Sequence, residues 1–162
     1  MKTALSCLLG CLAWTAVIAS SSRQQPAAPP QAASTDAAND PAAGLFAQMC
    51  NKCHDGARIT ALRRSSTEWE EVLNKMIERG AMGSEKEFET VYDYLRRYFG
   101  KLYINNAPPD EIVTVLGLSK KDAEAIVAYR KANGSFADFD AVKKVPDIDV
   151  KKIEERKDAI AF

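Results

Sequence analysis

Cys50-Asn51-Lys52-Cys53-His54 is the stretch around which the rest of the chain is organised. Two cysteines three apart on a helical turn lie side by side, with Cβ atoms roughly 5–6 Å apart. That spacing lets both thiols add to the two vinyl groups of one porphyrin. The following residue, His54, then falls where its imidazole can bind the iron from the proximal side. His54 is also the only histidine of the chain. The pattern therefore predicts one covalently bound haem c, held by Cys50 and Cys53 and ligated by His54.

Three plainer readings compete with this one. A zinc site needs about four protein ligands, and outside residues 50–54 the only other Cys or His residues are Cys7 and Cys11. A thioredoxin-like pair sits in a βαβ pattern, which is missing around Cys50. A structural disulfide gives no reason for a histidine directly after the second cysteine.

Working outward toward the N-terminus, Lys2 followed by the apolar run Thr3–Ala19 predicts a signal peptide over 1–19, with a small-residue cleavage site at Val17-Ile18-Ala19. The run is at the short edge for a membrane span. Leu8-Leu9-Gly10-Cys11 has the look of a lipoprotein box but lies early, so an uncleaved or lipidated anchor is the secondary expectation. Export to the periplasm, possibly with a membrane tether, agrees with the thioether chemistry of haem c, which is completed outside the bacterial cytoplasm. Residues 20–40 are rich in Ala, Pro, Gln and Ser and are expected to be a disordered linker, with a reach of roughly 25 Å.

Asp40-Pro41 predicts a helix start, and Leu45, Phe46 and Met49 recur at helical spacing into Cys50. Residues 57–66 read as a loop carrying Arg58, Arg63 and Arg64. These arginines are either solvated or paired with haem propionates through bidentate bonds. Thr67 and Glu70 fit a capping box opening a helix to about Arg79, and Ser84 and Glu87 fit another opening a helix to near Gly100. Met49, Met76 and Met82 are the methionines available as a sixth iron ligand. Met49 adjoins the attachment site, Met76 lies on an apolar helix face, and Met82 lies in a loop.

Beyond residue 103 the pattern changes to helix, short turn, helix, occurring twice. Helices are expected over 111–116, 120–132, 138–144 and 150–158. Their shared core is expected to hold Ile112, Leu116, Ile126, Val127, Tyr129, Phe136, Phe139, Val142, Ile148, Ile153 and Ile160. The fold class is all-α, with a haem domain over 41–103 and a second helical domain over 104–162. The 22 basic residues balance the 22 acidic ones, so bulk charge singles out no polyanionic partner.

The Cys50-x-x-Cys53-His54 motif, Trp69, Met76, Gly80-Ala81 and Tyr94-Leu95 make residues 44–100 resemble a bacterial monohaem cytochrome c domain. The likeness is to the haem-binding domain of quinohaemoprotein amine dehydrogenase. That resemblance implies Met76, seven residues after Trp69, as the distal iron ligand, ahead of Met82. Ile104-Asn105-Asn106-Ala107, Leu116-Gly117-Leu118, 125–130, Asn133-Gly134-Ser135-Phe136 and 145–151 make the second half resemble the tandem helix-hairpin-helix module of the competence DNA receptor ComEA. In DNA-binding members of that family, glycine-rich turns offer backbone N–H groups to phosphate. Here Ser119 and Asp147 replace the usual glycines, Asp149 adds a carboxylate, and residues 104–162 hold 10 basic against 11 acidic residues. Binding of nucleic acid is therefore disfavoured.

These readings combine into an exported monohaem cytochrome carrying single electrons through a His54/Met76-ligated haem. Its partners would be periplasmic redox proteins or a membrane dehydrogenase or oxidase, docked through the hairpin half. No enzymatic activity is expected, because no second histidine or acid–base dyad accompanies the motif. The alternative is an exported DNA-binding protein with a structural or sensory haem.

Overall fold

The structure is a computed structural model that describes residues 35–162. The expected signal peptide, with Cys7 and Cys11, and residues 20–34 of the expected linker lie outside it. No described helix is long and apolar enough to cross a membrane. The described residues form helices joined by turns, with one two-stranded sheet, so the fold is all-α.

Order begins earlier than composition suggested. Helix α1, Thr35–Asn39, occupies the end of the expected linker. Ala37 is fully buried, and the Tyr94 hydroxyl donates to its carbonyl at 3.2 Å. A small side chain is what lets this segment approach an aromatic cluster closely. Helix α2, Pro41–Cys50, starts as expected, with the Asp40 carboxylate accepting from the Ala42 amide at 2.8 Å. The same carboxylate accepts from Tyr98 at 2.9 Å and Arg97 at 3.1 Å, both on helix α5, Glu85–Phe99. The Ala42 amide above all, and then Tyr98 and Arg97, hold its carboxyl below the usual Asp value.

The expected loop over 57–66 contains a short helix, α3, Ala57–Thr60. Helix α4, Ser66–Glu78, is capped by Ser65 with Glu68 rather than by Thr67 with Glu70. Both pairs satisfy the same spacing, and tertiary structure selects the earlier one. Arg64 is pinned extended beside Gly100, its amide donating to Phe99 O at 3.2 Å and its carbonyl accepting from Lys101 N at 2.7 Å. The chain can therefore turn helical immediately after Ser65. Helix α5 carries the expected Ser84–Glu87 box. Phe46, Trp69, Leu73, Val91, Tyr94, Leu95 and Phe99 join Ala37 in the first core. The Trp69 indole donates to Phe99 O at 3.0 Å, so its buried N–H is satisfied.

The second core begins at Leu102, two residues before the expected boundary. Leu102–Tyr103 forms strand β1, followed by helices α6, Pro109–Leu116, and α7, Lys120–Asn133. Helices α8, Phe139–Val142, and α9, Val150–Glu155, complete the second hairpin. The last expected helix stops three residues early. A 3-10 turn at Lys157–Ala159 leads into β2, Ile160–Ala161, which pairs in parallel with β1. Ile112, Leu116, Ile126, Phe136, Val142 and Ile153 are buried as expected, with Val127, Tyr129, Phe139, Ile148 and Ile160 packed around them. Gly117 takes φ 68 after α6, and Asp147 holds φ 60 in the second hairpin turn. Asp tolerates that left-handed region better than most residues, which explains how it stands where a glycine is usual.

The halves touch through α5 and α6. Ser66 Oγ donates to Glu111 at 2.6 Å and accepts from Arg96 Nε at 3.1 Å. A Cβ on Gly100 would press on Arg96 O and on both methyls of Val115, so glycine permits this approach.

Candidate functional site

Helix α2 ends at Cys50, and Asn51 to Cys53 form a turn rather than a further helical turn. The Asn51 side chain closes that loop by accepting from the Gly56 amide at 2.8 Å, while Asp55 accepts from Ala57 N at 2.9 Å. Gly56 is buried, and a Cβ there would collide with Asn51 Oδ1 and the Phe46 ring. Asn51 and Gly56 thus hold the motif's shape, roles that a reading of the motif letters alone does not supply. Cys50 is half-buried and Cys53 exposed, and both are free thiols. Burial pushes the Cys50 thiol above its usual value, favouring the neutral form.

Cys50, Cys53 and His54 open onto one cavity of about 410 Å³. That lies within the range of roughly 300–1,000 Å³ typical of small-molecule and cofactor sites. The remaining lining comes from Met49, Lys52, Ile59, Leu73 and Met76, from the turn Arg79–Met82, and from Phe88 and Val91 of α5. The residues fit the haem expected from the motif, because a thiol pair and an imidazole share one apolar hollow with thioether sulfurs. Among the described residues, no three His, Cys, Asp or Glu side chains group as a metal site.

All three methionines reach the cavity, in different settings. Met76 is half-buried on α4, whose end is locked by Gly80 N donating to Ile77 O and Ala81 N to Met76 O, each at 2.9 Å. Gly80 has φ 93, so this is a Schellman ending that needs glycine. Met82 is 80 % exposed in the loop beyond. Met49 packs its methyl toward Gly83.

Of the three arginines weighed for the propionates, Arg63 and Arg64 are used elsewhere, and Arg58 lies outside the cavity. Arg63 donates to the carbonyls of Tyr98 at 3.0 Å and Gly100 at 3.3 Å. Burial lowers its pKa first, with nearby Arg156 adding to the effect. Arg64 donates to Ile59 O at 3.1 Å and covers Trp69 at 4.9 Å. Both guanidiniums fasten the α3–α4 connection, and neither lines the cavity. The cations that do are Lys52 and Arg79, which were legible only as members of polar surface.

In the second half, the helix starts that could receive phosphate are self-capped. Ser119 Oγ accepts from Asp122 N at 3.1 Å, and Asp149 Oδ1 from Lys152 N at 3.1 Å. Lys152 Nζ then donates to Gly117 O at 3.1 Å, tying one hairpin turn to the other.

Two family models match the chain. The haem-binding model of quinohemoprotein amine dehydrogenase A, alpha subunit, covers residues 15–89. The helix-hairpin-helix motif covers residues 98–161. Neither a curated protein nor a solved structure matches. The cavity around Cys50, Cys53 and His54 lies inside the first match and the paired hairpins inside the second, so the chain joins a region similar to the haem-binding domain of quinohemoprotein amine dehydrogenase to a region similar to the helix-hairpin-helix motif.

Proposed function

We propose that the protein is an exported monohaem c-type cytochrome that passes single electrons between periplasmic partners and is not itself an enzyme. The observation carrying this reading is that Cys50, Cys53, His54 and Met76 line one cavity within the haem-binding domain. When bound, the haem supplies a one-electron couple. Cys50 and Cys53 would hold it through thioethers, and His54 and Met76 would supply nitrogen and sulfur ligands to its iron. A thioether opposite an imidazole raises the potential of such a couple. Leu73, Phe88 and Val91 give the cavity an apolar wall. Met76 is preferred over Met82 because a ligand on a locked helix end loses less freedom on binding than one on an exposed loop.

The hairpin half is then a protein-docking module, for a redox protein or a membrane dehydrogenase or oxidase. Its use on DNA is disfavoured by the capped amides at Ser119 and Asp149, by Asp147, and by the lack of a cationic surplus. The periplasm is the proposed site of action, with the 1–19 stretch directing export or serving as the tether.

The ligation is tested by near-infrared absorption of the oxidised protein, where a weak sulfur-to-iron band marks methionine ligation. The band is expected to vanish in Met76→Ala and persist in Met82→Ala; the opposite pattern transfers the ligand to Met82. Salt-independent failure of the full chain to retain duplex DNA at low ionic strength is expected, and salt-sensitive retention would favour the nucleic-acid reading.

A further inference from the structure

The geometry points to Arg79 as the residue that grips a carboxylate of the bound haem, and this rests on the haem reading above. A porphyrin of this class carries two propionate side chains, and the cavity offers them few partners. Of its lining residues, only Lys52 and Arg79 are permanently cationic. Lys52, exposed in the turn after Cys50, offers a single ammonium rather than a planar fork. Among the described residues, the Arg79 guanidinium has no hydrogen-bond, ion-pair or ring partner.

Among the other described arginines only Arg58, which lies outside the cavity, is equally without a side-chain partner. Arg63 and Arg130 spend their N–H groups on backbone carbonyls, Arg97 on Asp40, and Arg64 covers Trp69. Arg79 is also well placed, not merely available. As the C-cap of α4 its backbone N–H is held by carbonyls of the last turn. The Gly80 ending fixes its Cα three residues from Met76. A planar guanidinium matches a carboxylate in two parallel hydrogen bonds. An ionised carboxylate entering an otherwise apolar hollow without such a partner would be strongly disfavoured.

The competing explanation is that Arg79 only balances the negative end of the α4 dipole. Resonance Raman of the haem-loaded full chain separates the two, because the propionate bending band moves with hydrogen bonds to that group. Arg79→Gln is expected to shift this band and lower the midpoint potential. The ratio of oxidised to reduced protein at fixed poise should change about tenfold, or about 59 mV for one electron. Arg79→Lys, which keeps the charge but not the fork, is expected to shift the band with a smaller change in potential, and it replaces Arg79→Gln if that variant loads poorly. Arg58→Gln removes an equal charge outside the cavity and is expected to leave the band in place. An unmoved band in both Arg79 variants, or a band that moves only in Arg58→Gln, would overturn the assignment while leaving the haem reading standing. A wild-type chain without Soret absorption would overturn both.

Discussion

The two halves of the molecule solve the same packing problem with different materials. Residues 102–162 bury fourteen apolar side chains in one core, from Leu102 to Ala159. The described haem-binding half is longer, yet buries eight. Its α4 leaves Met76 half-buried at the edge of a hollow, and Ile77, outside that hollow, is 44 % exposed. Small domains with so little buried area are marginal. The second half is therefore complete as a polypeptide, whereas the first is built to enclose a group that supplies the missing apolar surface.

The sharpest way to break this contrast is to prevent loading. In a Cys50→Ala/Cys53→Ala variant, the first half is expected to lose its cooperative thermal transition while the second retains its own, as followed by amide hydrogen exchange in each half. Equal loss of protection in both halves would refute the division of labour. Next in size, Ile126→Ala empties a fully buried site in the second core and is expected to cost about 2–5 kcal/mol. Denaturant unfolding should show that loss in the hairpin half, with the Soret band unchanged in native buffer.

Gly56→Ala should cost about 1–3 kcal/mol by overpacking against Asn51 and Phe46. Because it deforms the attachment loop, the fraction of protein carrying haem should fall as well. The smallest effect is expected at Asp40. Asp40→Ala should destabilise by about 1 kcal/mol at neutral pH. The Asp40 pKa is lowered in the fold, so its contribution is complete above the ordinary value of 3.8 and fades as pH falls through the lower folded value. The gap between wild type and variant should therefore hold above pH 3.8 and close only as pH falls through the lowered folded value; a constant gap would mean that the charge of Asp40 contributes nothing.

Legibility in the sequence followed the range of the interactions. Asp40-Pro41, Ser84 with Glu87, and Gly117 act within one turn of chain, and the helices they delimit stand where local rules put them. The cysteine–histidine motif is equally local and led directly to the cavity. Pairings across the fold were not legible. The β1 and β2 strands are two residues each, too short for an alternating pattern, and are defined only by each other. The choice of Ser65 over Thr67 as cap goes with the hydrogen bonds to Phe99 and from Lys101 that hold Arg64 extended beside Gly100. α1 is ordered by Tyr94, more than fifty residues away. The arginines show the same limit: charge at Arg63, Arg64 and Arg79 reads alike in sequence, and only the fold sends the first two into carbonyls and tryptophan and the third to the cavity.

The account is tested most directly by the intact mass of the protein made in a host competent for cytochrome maturation, read together with its visible spectrum. The expected result is a polypeptide heavier by one haem that survives denaturation, with a Soret band and no titratable thiol at Cys50 or Cys53. A mass equal to that of the amino acids alone, with two reactive thiols and no Soret absorption, would contradict it.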